Sequence, residues 1–286
     1  MAHLLLLLPS MSYRGEAFLE AATKVGVALT VAGDAPPDCL KQTPESFLQL
    51  DLYNTTTAVA TVWEFAKTSP IDVILGVNDG TSVLASSISE ALGLPTNSID
   101  SVRAASNKQT MRSLLQQEGL PCPNFLVVGI DKKPENIILQ VTFPCVLKPL
   151  TLSGSCGVIR ADDPESFQDA FTRISHLLQS FDRLEQDLAG RQILIEDFIP
   201  GIEVALEGLL TKETFHCLAL FDKPDPLNGP YFEETIYVTP SRLPHDTQTR
   251  ITESLAKAAR AIGLREGPVH GELRINDQDI WVIEVA

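Results

Sequence analysis

The chain has 286 residues, 44% of them hydrophobic and 21% charged, which excludes a disordered protein and fits about two domains. Its 22 Lys and Arg against 37 Asp and Glu give a formal charge of −15. A surface this acidic repels phosphate backbones and anionic lipid, so nucleic acid and membrane surfaces are poor partners, and any polyanion must be met by a few placed cations or a metal.

The five leucines at 4–8, closed by Pro9, fall far short of the roughly 20 apolar residues of a membrane helix and lack a secretory leader. They read as a strand over 3–8 buried on both faces. A helix over 15–24 follows, with Ala17, Phe18, Ala21 and Ala22 on one face and Gly26 placed to cap it. Strands over 27–31, 47–52 and 71–77 alternate with helices over 58–67 and 81–92. Near-continuous aliphatic strands between helices indicate a parallel, doubly covered sheet, in which ligands sit outside the carboxyl ends of the strands.

The pattern then changes. A helix over 107–118 stops at Gly119 and Pro121. Strands over 125–130 and 144–148, a small-residue loop at 151–157 and a strand over 158–161 precede a long helix over 164–188 and a strand over 192–198. Antiparallel strands over 203–210, 215–221 and 232–238, a helix over 247–262 and a terminal hairpin of 268–276 and 280–286 complete the chain. Cys39, Cys122, Cys145, Cys156 and Cys217 are scattered, without a CxxC pair, which argues against a disulfide framework or zinc site and for a reducing cytoplasm.

The terminal hairpin carries the sharpest chemical signal. Val269, Leu273 and Ile275 alternate with polar residues going out, and Trp281, Ile283 and Val285 alternate with Glu284 coming back. A three-residue loop, Asp277-Gln278-Asp279, sets Glu272 opposite Glu284 on the face away from Trp281 and Ile283. Carboxylates about 5 Å apart repel by roughly 3 kcal/mol at an effective dielectric near 20. A cation between them, or a proton on one, relieves this, and Mg²⁺ suits two carboxylates completed by waters and phosphates. Splayed, solvated acids, or a four-residue loop that breaks the register, are the alternatives.

Lys148 ends an apolar strand and needs an anion to meet. The following Ser153-Gly154-Ser155-Cys156-Gly157 is either a phosphate-approaching loop or an ordinary turn; it is neither GxxxxGK[ST] nor GxSxG. Glu196-Asp197, with Phe198, Ile199 and Glu203 beyond, either accepts donors from a base and sugar or simply closes a strand. Lys108 reads by default as a surface lysine, and His270 as a polar contact of Glu272.

In order, these segments resemble the ATP-grasp superfamily, in its carboxylate–amine (amino-acid) ligase branch. The words that carry the resemblance are Ser106-Asn107-Lys108 with Met111-Arg112, Phe143-Pro144-Cys145-Val146-Leu147-Lys148-Pro149, Ser153 to Val158, Ile195-Glu196-Asp197-Phe198-Ile199-Pro200-Gly201-Ile202-Glu203, His270-Gly271-Glu272-Leu273 and Val282-Ile283-Glu284. Gly76-Val77-Asn78-Asp79-Gly80-Thr81 looks like the Rossmann-like domain that precedes that fold. The resemblance implies an α/β chain with a Rossmann-like domain over 1–104, a linker helix and small lid subdomain over 105–200, and a large, mostly antiparallel subdomain over 201–286.

It also implies roles. Lys108 and Lys148 contact ATP phosphates, and the loop of Ser153, Gly154, Ser155 and Gly157 closes over them. Glu196, with Asp197 beside it, takes the adenine amino group; Phe198 and Ile199 flank the base, and Glu203 holds the ribose. Glu272 and Glu284 match the metal ligands, for Mg²⁺ or Mn²⁺, and Lys223 approaches nucleotide or substrate as the one catalytic candidate. The implied reaction activates a carboxylate as an acyl phosphate, which an amine converts to an amide with release of ADP and phosphate. Its partners are then small-molecule substrates, and dimerisation, common in the family, admits a homodimer. Two departures stand out. Ala286 occupies the position of the family's metal-contacting asparagine, and the family's active-site arginine falls two residues past the last one given, so a C-terminally truncated fold with an exposed apolar edge is expected. A non-catalytic nucleotide-binding module and a purine-biosynthetic or carboxylase-like ligase are the other readings.

Overall fold

The structure, a computed structural model, describes residues 1–36, 47–181, 188–233 and 235–286. Cys39 lies outside these residues. The chain divides into two compact units, Met1–Arg103 and Ala104–Ala286.

The first unit alternates β1 (His3–Leu7), α1 (Gly15–Val25), β2 (Ala28–Gly33), β3 (Phe47–Gln49), α2 (Thr55–Ala66), β4 (Val73–Gly76) and α3 (Asp79–Leu92). All four strands are parallel, in the order β3-β2-β1-β4. The leucine run explains why both faces are covered: Leu5 and Leu7 pack into one apolar cluster, Leu6 and Leu8 into the other. Gly26 ends α1 in a left-handed conformation at φ 68°. Both α2 and α3 begin before their apolar periodicity does, because Asn54 and Asn78 cap them through Thr57 and Thr81 backbone N–H groups. The strand expected to run to 52 ends at Gln49. A short helix not anticipated, α4 (Ile99–Ala105), follows.

The second unit holds two antiparallel sheets. One is built from β5 (Phe125–Gly129), β6 (Cys145–Pro149), β7 (Ile159–Ala161) and β8 (Gln192–Asp197), ordered β5-β8-β6-β7. A short helix α6 (Pro134–Ile137) lies between β5 and β6 in the chain, after α5 (Lys108–Gln117), and α7 (Pro164–Gln179) covers one face with Phe167, Phe171, Ile174 and Leu178. The helix expected over 164–188 ends at Gln179, where Ser180 turns its hydroxyl back to the Leu177 carbonyl at 2.7 Å; residues 182–187 lie outside the description.

The other sheet comprises β9 (Ile202–Thr211), β10 (Thr214–Lys223), β11 (Gly267–Ile275) and β12 (Ile280–Val285), ordered β10-β9-β11-β12. Helix α8 (His245–Ala261) buries Ile251, Leu255, Ala258 and Ala259 against Val204, Leu206, Leu273, Val282 and Val285. Gly271 is required by that approach, since a Cβ there would lie 2.3 Å from a Leu255 methyl. Among the described residues of 232–238 the expected strand does not form. Its neighbourhood contributes only isolated bridges, Tyr231 to Ile159 and Val238 to Asp222, and Ile236 stays 53% exposed because no sheet face receives it.

The terminal hairpin corrects the expectation in an instructive way. Its loop is four residues, 276–279, held by the Asn276 carboxamide oxygen, which accepts from Gln278 N–H, Asp279 N–H and Trp281 Nε1–H. Ile275 therefore pairs with Ile280 and Leu273 with Val282, a register one residue off the expected one. Core-facing residues are Ile280 and Val282, both at most 2% exposed, while Trp281 sits opposite Arg274 on the other face. A bulge at Ile283 then adds one residue to β12 and restores Glu272 opposite Glu284.

Candidate functional site

Strand alternation gives the larger sheet a second face, turned away from α8, where charged residues stand among Phe221, Ala205 and Trp281. Three cross-strand rows compose it. Lys223 pairs with Glu203, which pairs with Arg274; Ala205 pairs with Glu272, which pairs with Glu284; and Glu207 pairs with His270, which exchanges both backbone hydrogen bonds with Ala286. Side chains opposite one another in such rows interact directly.

Within the rows, Lys223 Nζ donates to Glu203 Oε1 at 2.9 Å and to Glu272 Oε1 at 2.7 Å. Arg274 Nε donates to Glu203 Oε2 at 2.8 Å and Arg274 Nη1 to the Ile199 carbonyl at 2.6 Å. His270 Nδ1 lies 2.8 Å from Glu207 Oε1, and Nε2 lies 3.7 Å from Glu272 Oε1. Those partners push the His270 imidazole up to about 10, Glu207 contributing most through its hydrogen bond and Glu272 next, against the opposing effect of burial. Glu272 titrates above its ordinary value: burial is the main cause, and the charges of Glu284 and Glu203 add to it, while His270 and Lys223 pull the other way.

Glu284 faces this group from β12 with about a quarter of its side chain exposed, and Lys108 Nζ stands 3.7 Å from its Oε1. The same ammonium donates to the Leu152 carbonyl at 2.6 Å, tying the N-terminus of α5 to the loop after β6. Two hard oxygen donors held opposite each other, one with its ionised form disfavoured, fit a divalent cation. Among the described residues no cluster of three or more His, Cys, Asp or Glu forms a ready cage. Such an ion would take its other ligands from water and phosphate, as Mg²⁺ does.

The smaller sheet holds the other cluster. Lys148 Nζ lies 2.5 Å from Glu196 Oε1, and Arg112, from α5, donates Nε to Glu196 Oε2 at 3.0 Å. All three side chains are 6% exposed or less. Burial alone would raise the Glu196 carboxyl, but the adjacent guanidinium and ammonium outweigh it and hold it below its ordinary value. Lys148 is thus committed to Glu196 rather than standing free. Glu196 is already engaged at both oxygens, though each carboxylate oxygen can accept again.

The structure does not bring Asp197 to this cluster. As the next residue along β8 its side chain leaves the opposite face, where it accepts from Asn124 Nδ2 at 2.8 Å. Phe198 lies between two guanidinium groups, with Arg160 4.1 Å and Arg274 5.0 Å from its ring centroid. The loop from Ser153 runs through left-handed Gly154, Ser155 and Gly157 at φ 63°, 54° and 76°, with Ser153 and Gly154 exposed. Gly157 has no room for a side chain, since a Cβ would stand 2.9 Å from Pro149 and Leu177 atoms.

Sequence reasoning assigned no role to Arg112, Arg274 or Glu207, and treated His270 only as a polar contact. The signals were present but faint. Arg112 is four residues after Lys108, hence on the same helix face, and period two puts His270 and Arg274 on the face of Glu272.

With that geometry in place, comparison with known proteins is informative. A family profile described as "ATP-grasp domain" matches residues 141–286, and one described as "ATP-grasp N-terminal domain" matches residues 19–96. Alanine–anticapsin ligase from Bacillus subtilis (strain 168) is 24% identical over 210 residues, 69% of this chain and 44% of that protein. Carnosine synthase 1 from Homo sapiens is 24% identical over 285 residues, 93% of this chain and 34% of that protein. The crystal structure of L-amino acid ligase from Bacillus licheniformis superposes with a TM-score of 0.81 at 26% identity, covering 100% of this chain and 66% of that one. The chain spans less than half the length of these two curated relatives.

Proposed function

The chain belongs to the ATP-grasp family, and on that premise we propose that it works as an ADP-forming carboxylate–amine ligase, with an amino acid as the carboxylate. In that reaction a carboxylate oxygen bonds to the γ-phosphorus of ATP as the bond to the β–γ bridging oxygen breaks, releasing ADP. An amine then bonds to the acyl carbon, loses a proton, and phosphate leaves. The observation that carries the reading is the bulge-corrected placement of Glu272 opposite Glu284, with Lys108 beside them. The names of the relatives, ligases of alanine or L-amino acids and a carnosine synthase, support amino-acid substrates.

Glu272 and Glu284 hold the metal, Mg²⁺ or Mn²⁺. The bound ion supplies charge neutralisation among phosphate oxygens. Lys108 meets phosphate from the α5 side, and the loop of Ser153, Gly154, Ser155 and Gly157 closes over it from residues 105–200, acting as a lid against residues 201–286. Glu196, steadied by Lys148 and Arg112, and the backbone at Phe198 and Ile199 receive the base. Glu203 exchanges part of its contact with Lys223 and Arg274 for ribose hydroxyls, which frees Lys223 to turn toward the reacting groups. The work is alignment and electrostatics, with no protein nucleophile.

The free cysteines Cys122, Cys145, Cys156 and Cys217 support a reducing, cytoplasmic setting. Among the described residues no helix is long and apolar enough to cross a membrane. A homodimer is a further proposal, read out by sedimentation.

The test is ADP release from Mg·ATP across amino-acid pairs, with bicarbonate and phosphoribosyl amines as comparison co-substrates. ADP formation that needs both a carboxylate and an amine is expected. ATP binding without such turnover would leave a nucleotide-binding module, and a Glu272→Gln variant that turns over like wild type would end the proposal.

A further inference from the structure

Arg112 is the largest fully buried side chain described, with no exposure at all, and the reading above gives it only a supporting part beside Glu196. Its guanidinium does two things at once. Nε and Nη2 face the two oxygens of Glu196 at 3.0 and 3.5 Å, and Nη2 also donates to the carbonyl of Ile283 at 2.6 Å. Ile283 is the residue inserted by the β12 bulge.

Counting the ladder shows what that carbonyl controls. From the hairpin loop upward the pairs are Ile275 with Ile280, Arg274 with Trp281 and Leu273 with Val282. Continued without a bulge, the ladder would set Ile283 opposite Glu272 and Glu284 opposite Gly271. Gly271 faces α8, where even a Cβ would collide with Leu255. Glu284 would then point into the apolar core, and the carboxylate pair would not exist. The bulge is therefore the device that creates the pair, and Arg112 is the side chain that holds its freed carbonyl.

Arg112 thus spans two elements at once, Nε and Nη2 reaching Glu196 on β8 and Nη2 the Ile283 carbonyl on β12. We propose that Arg112 is a positioning residue, which pins the Ile283 bulge and so sets the register of Glu284 against Glu272, while its other edge fixes Glu196 at the end of β8. One side chain on α5 thereby links the nucleotide-base carboxylate to the metal carboxylates, and the helix that carries it also carries Lys108. The inference rests on the reading of Glu272 and Glu284 as a metal pair only for its effect on metal, not for its effect on the ladder.

Arg112→Lys keeps the charge beside Glu196 but lacks the fork that reaches two acceptors. Two measurements on this variant test the idea, with Leu255→Ala as a control destabilised through the core alone. The first is amide hydrogen exchange along β12. Exchange at 284–286 that accelerates at least tenfold in Arg112→Lys, beyond any acceleration in Leu255→Ala, is expected. Equal acceleration in the two variants would overturn the inference. The second is Mn²⁺ binding with ADP, followed by electron paramagnetic resonance. About tenfold weaker binding in Arg112→Lys, with Leu255→Ala and Glu196→Gln retaining the wild-type ratio of ADP affinity with and without Mn²⁺, is expected. An unchanged ratio in Arg112→Lys would count against it. Wild type that binds no Mn²⁺ would overturn the metal reading, while the exchange measurement still decides the role of Arg112.

Discussion

The two sheets of the second unit are built alike, four antiparallel strands with helices packed on the apolar face, yet they treat their acids in opposite ways. In the smaller sheet Glu196 sits between Arg112 and Lys148, and its carboxyl is held below the ordinary value. In the larger sheet burial first, and then the charges of Glu284 and Glu203, hold the Glu272 carboxyl above that value despite His270 and Lys223. A carboxylate with cations to itself is held ionised; one crowded by other acids is where the proposed metal would bring most relief. Each carboxylate has two cations beside it, so the difference lies in the neighbouring acids: Glu196 has its pair to itself, whereas Glu272 shares Lys223 with Glu203 and His270 with Glu207, and stands opposite Glu284.

Perturbing each side should break that contrast in opposite directions. The largest stability loss is expected for Arg112→Met, which strips one cation from a buried acid and releases the bulge: about 3–5 kcal/mol in urea denaturation. Glu272→Gln should leave stability unchanged or slightly higher, since it removes an unfavourable charge. Its ADP formation should nevertheless fall by about 100-fold, or about 2.7 kcal/mol in the activation barrier. Gly271→Ala, which presses on Leu255 without touching a charge, should cost about 1–3 kcal/mol by overpacking. It should also weaken metal binding less than Arg112→Lys does.

The acid limb of stability is a gentler probe. A carboxyl depressed by folding contributes stability that is present above its unfolded value, here the ordinary 4.5, and lost as pH falls through the folded one. Glu196→Gln should therefore lower stability at neutral pH and flatten its decline below about pH 4.5. The smallest perturbation concerns thiols. Burial pushes Cys145 up to about 12, so a neutral-pH alkylating reagent should spare it in the native state and modify exposed Cys156 and Cys217 before it, as mass spectrometry would show.

Much of the first unit is legible in the sequence because Leu5 to Leu8 can only be a strand buried on both sides, and glycines such as Gly26 mark the helix ends. Its helix starts were hidden, since the first turns of α2 and α3 are polar and depend on the Asn54 and Asn78 caps rather than on apolar spacing. In the second unit the Glu272–Glu284 pairing was found with a loop one residue too short, and a bulge invisible to period-two counting made up the difference. The face given to Trp281 was wrong for the same reason. Alternation over 232–238 promised a strand, but strands need a neighbour, and the described residues there and at Tyr231 offer only isolated bridges. Arg112, quoted only as a word of the resemblance, and Arg274 were given no role because arginine is usually exposed, and only the fold shows which acids they meet.

The most direct test of the contrast is calorimetric titration of ATP, with and without Mg²⁺, into wild type, Glu272→Gln and Glu196→Gln. The two-sheet account predicts Mg²⁺-enhanced binding in wild type, loss of the enhancement in Glu272→Gln, and weaker binding with the enhancement intact in Glu196→Gln. Enhancement that survives in Glu272→Gln, or disappears in Glu196→Gln instead, would contradict it.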